Sequence, residues 1–208
     1  MLIDYATQKD EDWERWYDDR ADETLRLDYP LDSNSIVVDA GGFEGKWAYS
    51  ICEKYDSTVY VLEPIKEFFQ EIKVKLSSFP KAILLNYALT NKTCDAIISV
   101  DGWGSSLFDP EAELLEGIKC LDVAEFLELH NISNIDLLKL NIEGSEYDVL
   151  EKLIELNFIP NIKNIQIQYH SYFPSSIERR NAITEKLSAT HERTWNYEWI
   201  MENWKLNK

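Results

Sequence analysis

Hydrophobic and polar positions along this chain follow two periodicities, one typical of strands and one typical of helices. Apolar, β-branched runs predict buried strands at 35–40, 58–63, 81–89, 134–144 and 161–170. Helical spacing predicts helices at 44–55, 64–78, 120–132, 145–157 and 175–188. Residues 91–120 show an irregular pattern with short strand-like pieces, and 190–207 predict a hairpin of two strands around Asn196. Strands that alternate with helices predict βαβ units and a parallel sheet.

The first 20 residues also predict a helix, because Trp13, Trp16 and Tyr17 recur at helical spacing among charged residues. An amphipathic helix packed on the core is the interpretation we prefer. A lid that offers aromatic side chains to a substrate is the alternative. We therefore divide the chain into an N-terminal helical cap, 1–30, and a main α/β domain, 31–208.

Composition limits the classes of protein to consider. The chain has 208 residues and a formal charge of −17, which disfavours a nucleic-acid substrate, because binding phosphates requires a basic surface. No apolar run reaches the roughly 18 residues that span a membrane, and the acidic N-terminus lacks the apolar stretch of a secretory signal. The scattered cysteines, Cys52, Cys94 and Cys120, are typical of reduced thiols, so we expect a cytoplasmic protein.

Candidate chemistry begins at the end of the first predicted strand, in the stretch SIVVDAGGFEGKWA. Gly41 and Gly42 allow positive φ and close approach of a ligand to the main chain. Gly45 allows the next helix to lie close to the strand. A tight turn without a ligand is the alternative. Open parallel sheets bind ligands at this edge, beyond the carboxyl ends of their strands.

An acid at the end of the second strand suggests a nucleoside. Glu63 lies about 20 residues beyond the glycines, where a carboxylate accepts hydrogen bonds from ribose hydroxyls. Both NAD and S-adenosylmethionine fit this feature. The dinucleotide pattern GxGxxG requires a glycine where Ala40 stands, and Asp39 before the turn suits an ammonium and a sulfonium better than a pyrophosphate. The pattern therefore favours S-adenosylmethionine over an NAD-dependent oxidoreductase.

Polar residues interrupt the fourth and fifth strands of the predicted sheet. They recur at period two and so share a face wherever the strands stay extended; they are Lys139, Asn141 and Glu143 on one strand and Gln166, Gln168 and His170 on the next. Central parallel strands are usually apolar, so we expect a hydrogen-bonded network beside the ligand. The alternatives are a solvated sheet face and, for His170 alone, a structural role.

Four stretches of the chain resemble FkbM-type methyltransferases: VVDAGGFEG, VYVLEP, NYAL and, most specifically, IDLLKLNIEGSEYDVL. The resemblance extends from about residue 30 to 170. Within the last stretch the residues that match the family pattern are Asp136, Lys139, Glu143, Gly144 and Glu146. Two positions depart from the pattern, because Asn141 stands where the family usually has Asp, and Gln168-Tyr169-His170 stands where it often has Glu-x-His.

This resemblance implies a class I methyltransferase domain at 31–208, with a Rossmann-like sheet of seven strands in the order 3-2-1-4-5-7-6. Strand seven is antiparallel, and helices cover both faces. The resemblance also implies that the cofactor is S-adenosylmethionine, that the product is S-adenosylhomocysteine, and that the acceptor is a hydroxyl of a saccharide or glycosylated metabolite. The residues expected to bind the cofactor are Asp39, Gly41, Gly42, Phe43 and Gly45, then Glu63 at the ribose with Pro64 beside it, and Asn86 and Ala88 on the adenine side.

His170 is the expected general base for the acceptor hydroxyl, because an imidazole titrates near neutral pH. Glu143 is the second candidate, and Lys139 is expected to orient Glu143 or Asn141 or to stabilise the forming alkoxide. We expect no metal, because Asn141 removes a charge that a hard cation would require. A catalytically inactive cofactor-binding module is the alternative, and the oligomeric state stays open.

Aromatic residues border the predicted site. Trp103, in the loop 100–109, is expected either to stack on a sugar or to plug the core, and Tyr169, Tyr172 and Phe173 have the same two interpretations.

Overall fold

The computed structural model describes residues 5–99, 115–171 and 173–208. Its helices are α1 (Tyr5–Asp18), α2 (Lys46–Tyr55), α3 (Lys66–Lys75), α4 (Val123–Leu129), α5 (Glu146–Glu155) and α6 (Ser176–Ser188). Its strands are β1 (Ile36–Ala40), β2 (Thr58–Leu62), β3 (Ala82–Leu85), β4 (Ala88–Thr90), β5 (Cys94–Ser99), β6 (Leu115–Asp122), β7 (Leu137–Leu140), β8 (Asn164–Ile167), β9 (His191–Tyr197) and β10 (Met201–Leu206). A short 3-10 helix spans Ile159–Asn161.

The main sheet has seven strands in the order β3-β2-β1-β7-β8-β10-β9. The first five strands in this order, β3, β2, β1, β7 and β8, pair in parallel, whereas β10 is antiparallel to both β8 and β9. Numbered along this sheet alone, the order is 3-2-1-4-5-7-6 with strand seven antiparallel. The predicted Rossmann-like α/β fold is therefore confirmed.

Both faces of the main sheet are covered by helices, as predicted. Alternate residues of β1 point to opposite faces, so Val37 and Val38 belong to different apolar cores. Val37 packs with residues of α2 and α3, including Ile51. Val38 packs with residues of α4, α5 and α6, including Phe126 and Leu150. Burial of strands on both faces is the reason they are apolar runs in the sequence.

A second sheet of three strands, β4-β6-β5, corrects the interpretation of two regions. The predicted strand 81–89 divides into β3 and β4. The region 91–120, where only short strand-like pieces were predicted, contributes β5 and most of β6, which pair antiparallel. The predicted helix at 120–132 begins only at Val123, because Asp122 caps it by accepting a hydrogen bond from the backbone N–H of Ala124 at 2.6 Å.

The N-terminal helix α1 packs on the C-terminal hairpin. Trp16 is 3% exposed and lies edge-on to Tyr197, with 5.1 Å between ring centroids, beside Ile200 and Met201. Trp16 thus packs on the protein, whereas Tyr17 is 70% exposed. The boundary at residue 30 stays a prediction. The hairpin turns after Tyr197 rather than around Asn196, which lies within β9.

The structure bears on two further predictions, the absence of a membrane-spanning helix and the state of the cysteines. None of the helices in the described ranges is long and apolar enough to cross a membrane. All three cysteines are free thiols. The cytoplasmic location stays a prediction.

Candidate functional site

A cleft of about 430 Å³ opens at the carboxyl ends of β1, β2 and β7. The predicted site residues that line it are Gly41, Gly42, Phe43, Glu63, Pro64, Ala88, Lys139, Asn141 and Glu143. Asp39, Gly45, Asn86 and His170 do not line it and contact the lining residues from behind or beside it. The fold thus brings the two predicted groups, for cofactor binding and for catalysis, to one cleft.

The turn at Gly41 and Gly42 has no side chains because other atoms of the protein occupy the space that they would fill. Gly41 has a φ of +81°, and a Cβ built there would lie 1.9 Å from the backbone oxygen of Asn141. A Cβ at Gly42 would lie 2.5 Å from Cγ1 of Val61. Close approach of a ligand was the expected reason for these glycines. In both cases the chain itself occupies the position that a Cβ would take, and both residues also line the cleft.

The rest of the turn follows the same logic. Gly45 has a φ of +73°, and a Cβ there would lie 3.1 Å from Cγ1 of Ile72. The absence of a side chain at Gly45 therefore allows close packing of α3 against the turn. Phe43 also has a positive φ, +49°, and its ring packs edge-on against Phe68 with 4.5 Å between centroids. The turn therefore presents an aromatic wall to the cleft.

Asp39 lies under the turn and holds Lys139. The Asp39 carboxylate is fully buried and accepts a hydrogen bond from Lys139 Nζ at 2.8 Å, and the same Nζ donates to the carbonyl oxygen of Gly41 at 2.6 Å. Burial raises the pKa of Asp39 and lowers that of Lys139. The described contacts of Lys139 thus stabilise the glycine turn, whereas the sequence predicted that Lys139 would orient Glu143 or Asn141.

Glu63 is already held in place by the backbone. Its two carboxylate oxygens accept hydrogen bonds from the N–H groups of Phe43 at 2.8 Å and Ile65 at 2.9 Å. Burial is the largest influence and raises the pKa of Glu63 to about 7, although both backbone donors oppose it. Each carboxylate oxygen keeps a second lone pair. A carboxyl fixed in this way at the cleft wall suits a pair of hydroxyls.

Asn86 contributes through the backbone. Its side-chain amide donates to the carbonyl oxygens of both Glu63 and Pro64, at 2.8 Å each. The amide therefore fixes the loop after β2. Tyr87 and Ala88, which follow it, line the cleft directly.

The predicted polar row on β7 is wrong beyond its first member. The strand ends at Leu140, and Glu143 and Gly144 have φ values of +52° and +103°, so Asn141 and Glu143 lie in a turn. On β8, Gln166 does lie beside Lys139 in the sheet register, as predicted, but β8 ends at Ile167. The network is therefore built by turns after the two strands rather than by one extended face.

These turns bring Glu143, His170 and Glu146 together. His170 Nδ1 lies 2.9 Å from a carboxylate oxygen of Glu146, and its Nε2 lies 3.3 Å from Glu143. Glu146 is fully buried and also accepts from the backbone N–H groups of His170 and Gly144. Burial opposes protonation of His170, but the hydrogen bonds and charges of the two glutamates together outweigh it and raise the pKa to about 9.

The sequence patterns missed an N-terminal wall of the cleft. Asp22, Arg26 and Leu27 line it together with Ile98 of the small sheet and Phe68 of α3. The Arg26 carbonyl accepts from Trp47 Nε1 at 3.0 Å and from Gln166 Nε2 at 3.2 Å. Because these contacts join residues up to 140 positions apart, no local pattern contains them. The sequence signal nearest to this wall was the predicted aromatic helix of the first 20 residues, for which a lid was the alternative interpretation.

The aromatic predictions have different outcomes. Tyr169 is 3% exposed and packs on Tyr147. The ring of Phe173 also contacts Tyr147, so Tyr169 and Phe173 both pack with the core. Trp103 and Tyr172 lie outside the described residues. The part of the chain that is described contains no cluster of three or more His, Cys, Asp or Glu side chains arranged to hold a metal ion.

Comparisons with known proteins agree with this geometry. The family model described as methyltransferase FkbM domain matches residues 39–195. Among solved structures, the chain is similar to a presumed rRNA methylase from Clostridium thermocellum, at 10% identity and a TM-score of 0.54, over 91% of this chain and 94% of that one. No match was found among curated proteins.

Fibrillarin structures are also similar. The fibrillarin/Nop5p complex matches at 12% identity and a TM-score of 0.53, over 90% of this chain and 79% of that one. The Methanococcus jannaschii fibrillarin pre-rRNA processing protein matches at 14% identity and a TM-score of 0.50, over 85% and 68%. At these identities the structural likeness concerns the fold alone.

Proposed function

Since the chain belongs to the FkbM methyltransferase family, we propose that it methylates a hydroxyl of a saccharide or glycosylated metabolite. S-Adenosylmethionine is the cofactor of this family; when bound, it supplies a methyl group on a sulfonium centre. The observation that best supports an oxygen acceptor is the carboxylate of Glu143, which lines the cleft with His170 behind it. A carboxylate at this position can accept the hydrogen bond of a hydroxyl.

The residues of the cleft fit such a cofactor. The Glu63 carboxylate, fixed by two backbone donors, suits the ribose hydroxyls. Phe43, Phe68 and Tyr87 provide aromatic surface for the adenine. The side-chain oxygen of Asn141 is buried at the cleft without a hydrogen-bond partner among the described residues, and such an acceptor suits the ammonium group.

We assign the acceptor contact to Glu143 and a positioning role to His170, which reverses their order in the sequence prediction. A general base must reach the proton that it accepts, and Glu143 lines the cleft whereas His170 does not. With a pKa of about 9, His170 is a cation at neutral pH. It therefore holds Glu143 through Nε2, while Glu146 holds the imidazole through Nδ1. The hydroxyl proton passes to the Glu143 carboxylate.

The first experiment measures methyl incorporation from labelled S-adenosylmethionine into a panel of methyl glycosides of hexoses and 6-deoxyhexoses. We expect an O-methyl product by mass and NMR, and Glu143→Gln should lower kcat by about 10²–10⁴-fold. Binding of S-adenosylhomocysteine by calorimetry serves as the control for the variant's fold. Undiminished turnover in Glu143→Gln would contradict the proposal.

The pH dependence of kcat separates the two candidate bases. If Glu143 accepts the proton and protonated His170 positions it, kcat stays level between pH 7 and 8 and falls as the imidazole loses its proton near pH 9. If neutral His170 were the base, kcat would instead rise through that range. A pH–rate profile on the methylated glycoside distinguishes the two outcomes.

A cofactor-binding module without turnover is the second candidate. It is favoured by Asn141, a neutral amide at the cleft where family members usually have a carboxylate. This candidate predicts that S-adenosylhomocysteine binds, that no glycoside of the panel is methylated, and that Asn141→Asp restores turnover. Methylation by the unaltered chain would exclude it.

A further inference from the structure

Three cationic side chains line the cleft within the described ranges, and each of them has a carboxylate partner. Lys139 is buried against Asp39 and the Gly41 carbonyl. Lys46 is exposed at the rim and pairs with Glu44. The third is Arg26, on the N-terminal wall.

Arg26 is held in place but retains free donors. Its Nε donates to Gln166 Oε1 at 3.3 Å, and its Nη1 donates to Asp22 Oδ1 at 2.6 Å. The side chain is only 18% exposed, whereas that of Asp22 is 58% exposed. A guanidinium has five N–H donors in a planar fork. These contacts use two of them, and Nη2 has no partner in the part of the chain that is described.

Hydrogen bonds from two side chains hold the backbone of Arg26. The Arg26 carbonyl accepts from both Trp47 and Gln166, so the residue is anchored to α2 and to β8 at once. A largely buried cation with free N–H donors, fixed at the wall of a cleft, is arranged to bind an anion. A planar carboxylate matches the fork of a guanidinium in geometry and in charge.

We propose that Arg26 binds the carboxylate of the amino-acid portion of S-adenosylmethionine. The inference rests on the cofactor of the proposed function and is independent of the acceptor and of O-methylation. An acidic acceptor, such as a uronic acid, offers the same chemical group. We favour the cofactor because Arg26 is tied to the glycine turn. Its carbonyl accepts from Trp47, whose ring centroid lies 5.8 Å from Lys139 Nζ, and that Nζ donates to the carbonyl oxygen of Gly41.

The test compares two ligands that differ by the carboxylate alone. Calorimetry gives the affinities of the unaltered chain and of Arg26→Gln for S-adenosylmethionine and for decarboxylated S-adenosylmethionine. We expect the unaltered chain to prefer the first ligand by about 10- to 100-fold, the usual range for a charge-assisted pair. Arg26→Gln should lose this preference, with Arg26→Lys intermediate and little change in affinity for the decarboxylated ligand.

Lys54→Ala is the matched control, because Lys54 is a cation that contacts the same N-terminal segment from outside the cleft, at Leu27 and Asp28. It should leave the preference intact. Equal weakening of both ligands in Arg26→Gln would mean that Arg26 only holds the wall, and an unchanged preference would mean that the carboxylate lies elsewhere. Either result overturns the inference. Failure of the unaltered chain to bind either ligand would instead contradict the cofactor itself.

Discussion

At the scale of single residues, packing within the protein requires glycine at position 41, in addition to any ligand that its motif suggests. A glycine after a first strand is usually interpreted as making room for a ligand. Here the space beside Gly41 is filled by the backbone oxygen of Asn141, so the glycine allows two strand ends to meet. The position of this glycine could be predicted from the sequence, but its partner, 100 residues away, could not.

We predict that Gly41→Ala destabilises the fold by more than about 2 kcal/mol, because its Cβ would meet a backbone oxygen at a positive φ. Gly117→Ala is the control, since a Cβ there has nothing within 4 Å. Urea denaturation of both variants measures the difference. Similar unfolding free energies for the two would contradict the crowding at Gly41.

His170 provides the second prediction at this scale. Its raised pKa of about 9 means that its contribution to stability is complete below its ordinary value near pH 6.5 and is lost as the pH rises through 9. NMR titration of the imidazole should give a midpoint near 9, lower in Glu143→Gln. Burial lowers the pKa of His191, so its signal should titrate below the ordinary value and serve as an internal reference. A His170 midpoint near 6.5 would contradict the pairing with two glutamates.

At the scale of elements, the sequence predicted the order of the main strands and helices but extended two strands too far. The stretch 134–144 looks continuous because apolar residues alternate with Lys139, Asn141 and Glu143. The strand ends at Leu140 because the following residues form a turn in which Glu143 has a positive φ. Such a turn depends on Glu146 and on the end of β8, which local periodicity does not contain.

The attachment of α1 supplies a prediction at this scale. Trp16→Ala should lower the free energy of unfolding by about 3–5 kcal/mol, because a buried indole leaves a cavity against Tyr197 and loses its hydrogen bond to Asp22. Tyr17→Ala, one residue away but 70% exposed, should change it by less than about 0.5 kcal/mol. Thermal and urea unfolding measure both. Equal effects would mean that α1 does not pack through Trp16.

At the scale of the whole molecule, the N-terminal segment and the main sheet share one cleft. The residues from Asp22 to Leu27 border it, while Gln166 and Trp47 hold that segment from the sheet and from α2. The sequence predicted the glycine turn and Glu63 because each follows directly from a strand end. It could not predict Arg26, because the contacts that bring this residue to the cleft are long-range.

The charge of the whole molecule gives the last prediction. Structurally similar proteins include a presumed rRNA methylase, but the likeness concerns the fold, whereas this chain has 38 acidic residues against 21 basic ones. RNA binding requires cations that replace the counterions of the phosphates, and each of the three cations that line the cleft within the described residues has a carboxylate partner. We therefore expect no binding of a labelled RNA stem-loop by fluorescence anisotropy at about 150 mM salt, close to physiological ionic strength. Micromolar binding that weakens steeply as salt rises would reveal phosphate contacts, and would contradict both this prediction and the choice of a saccharide acceptor.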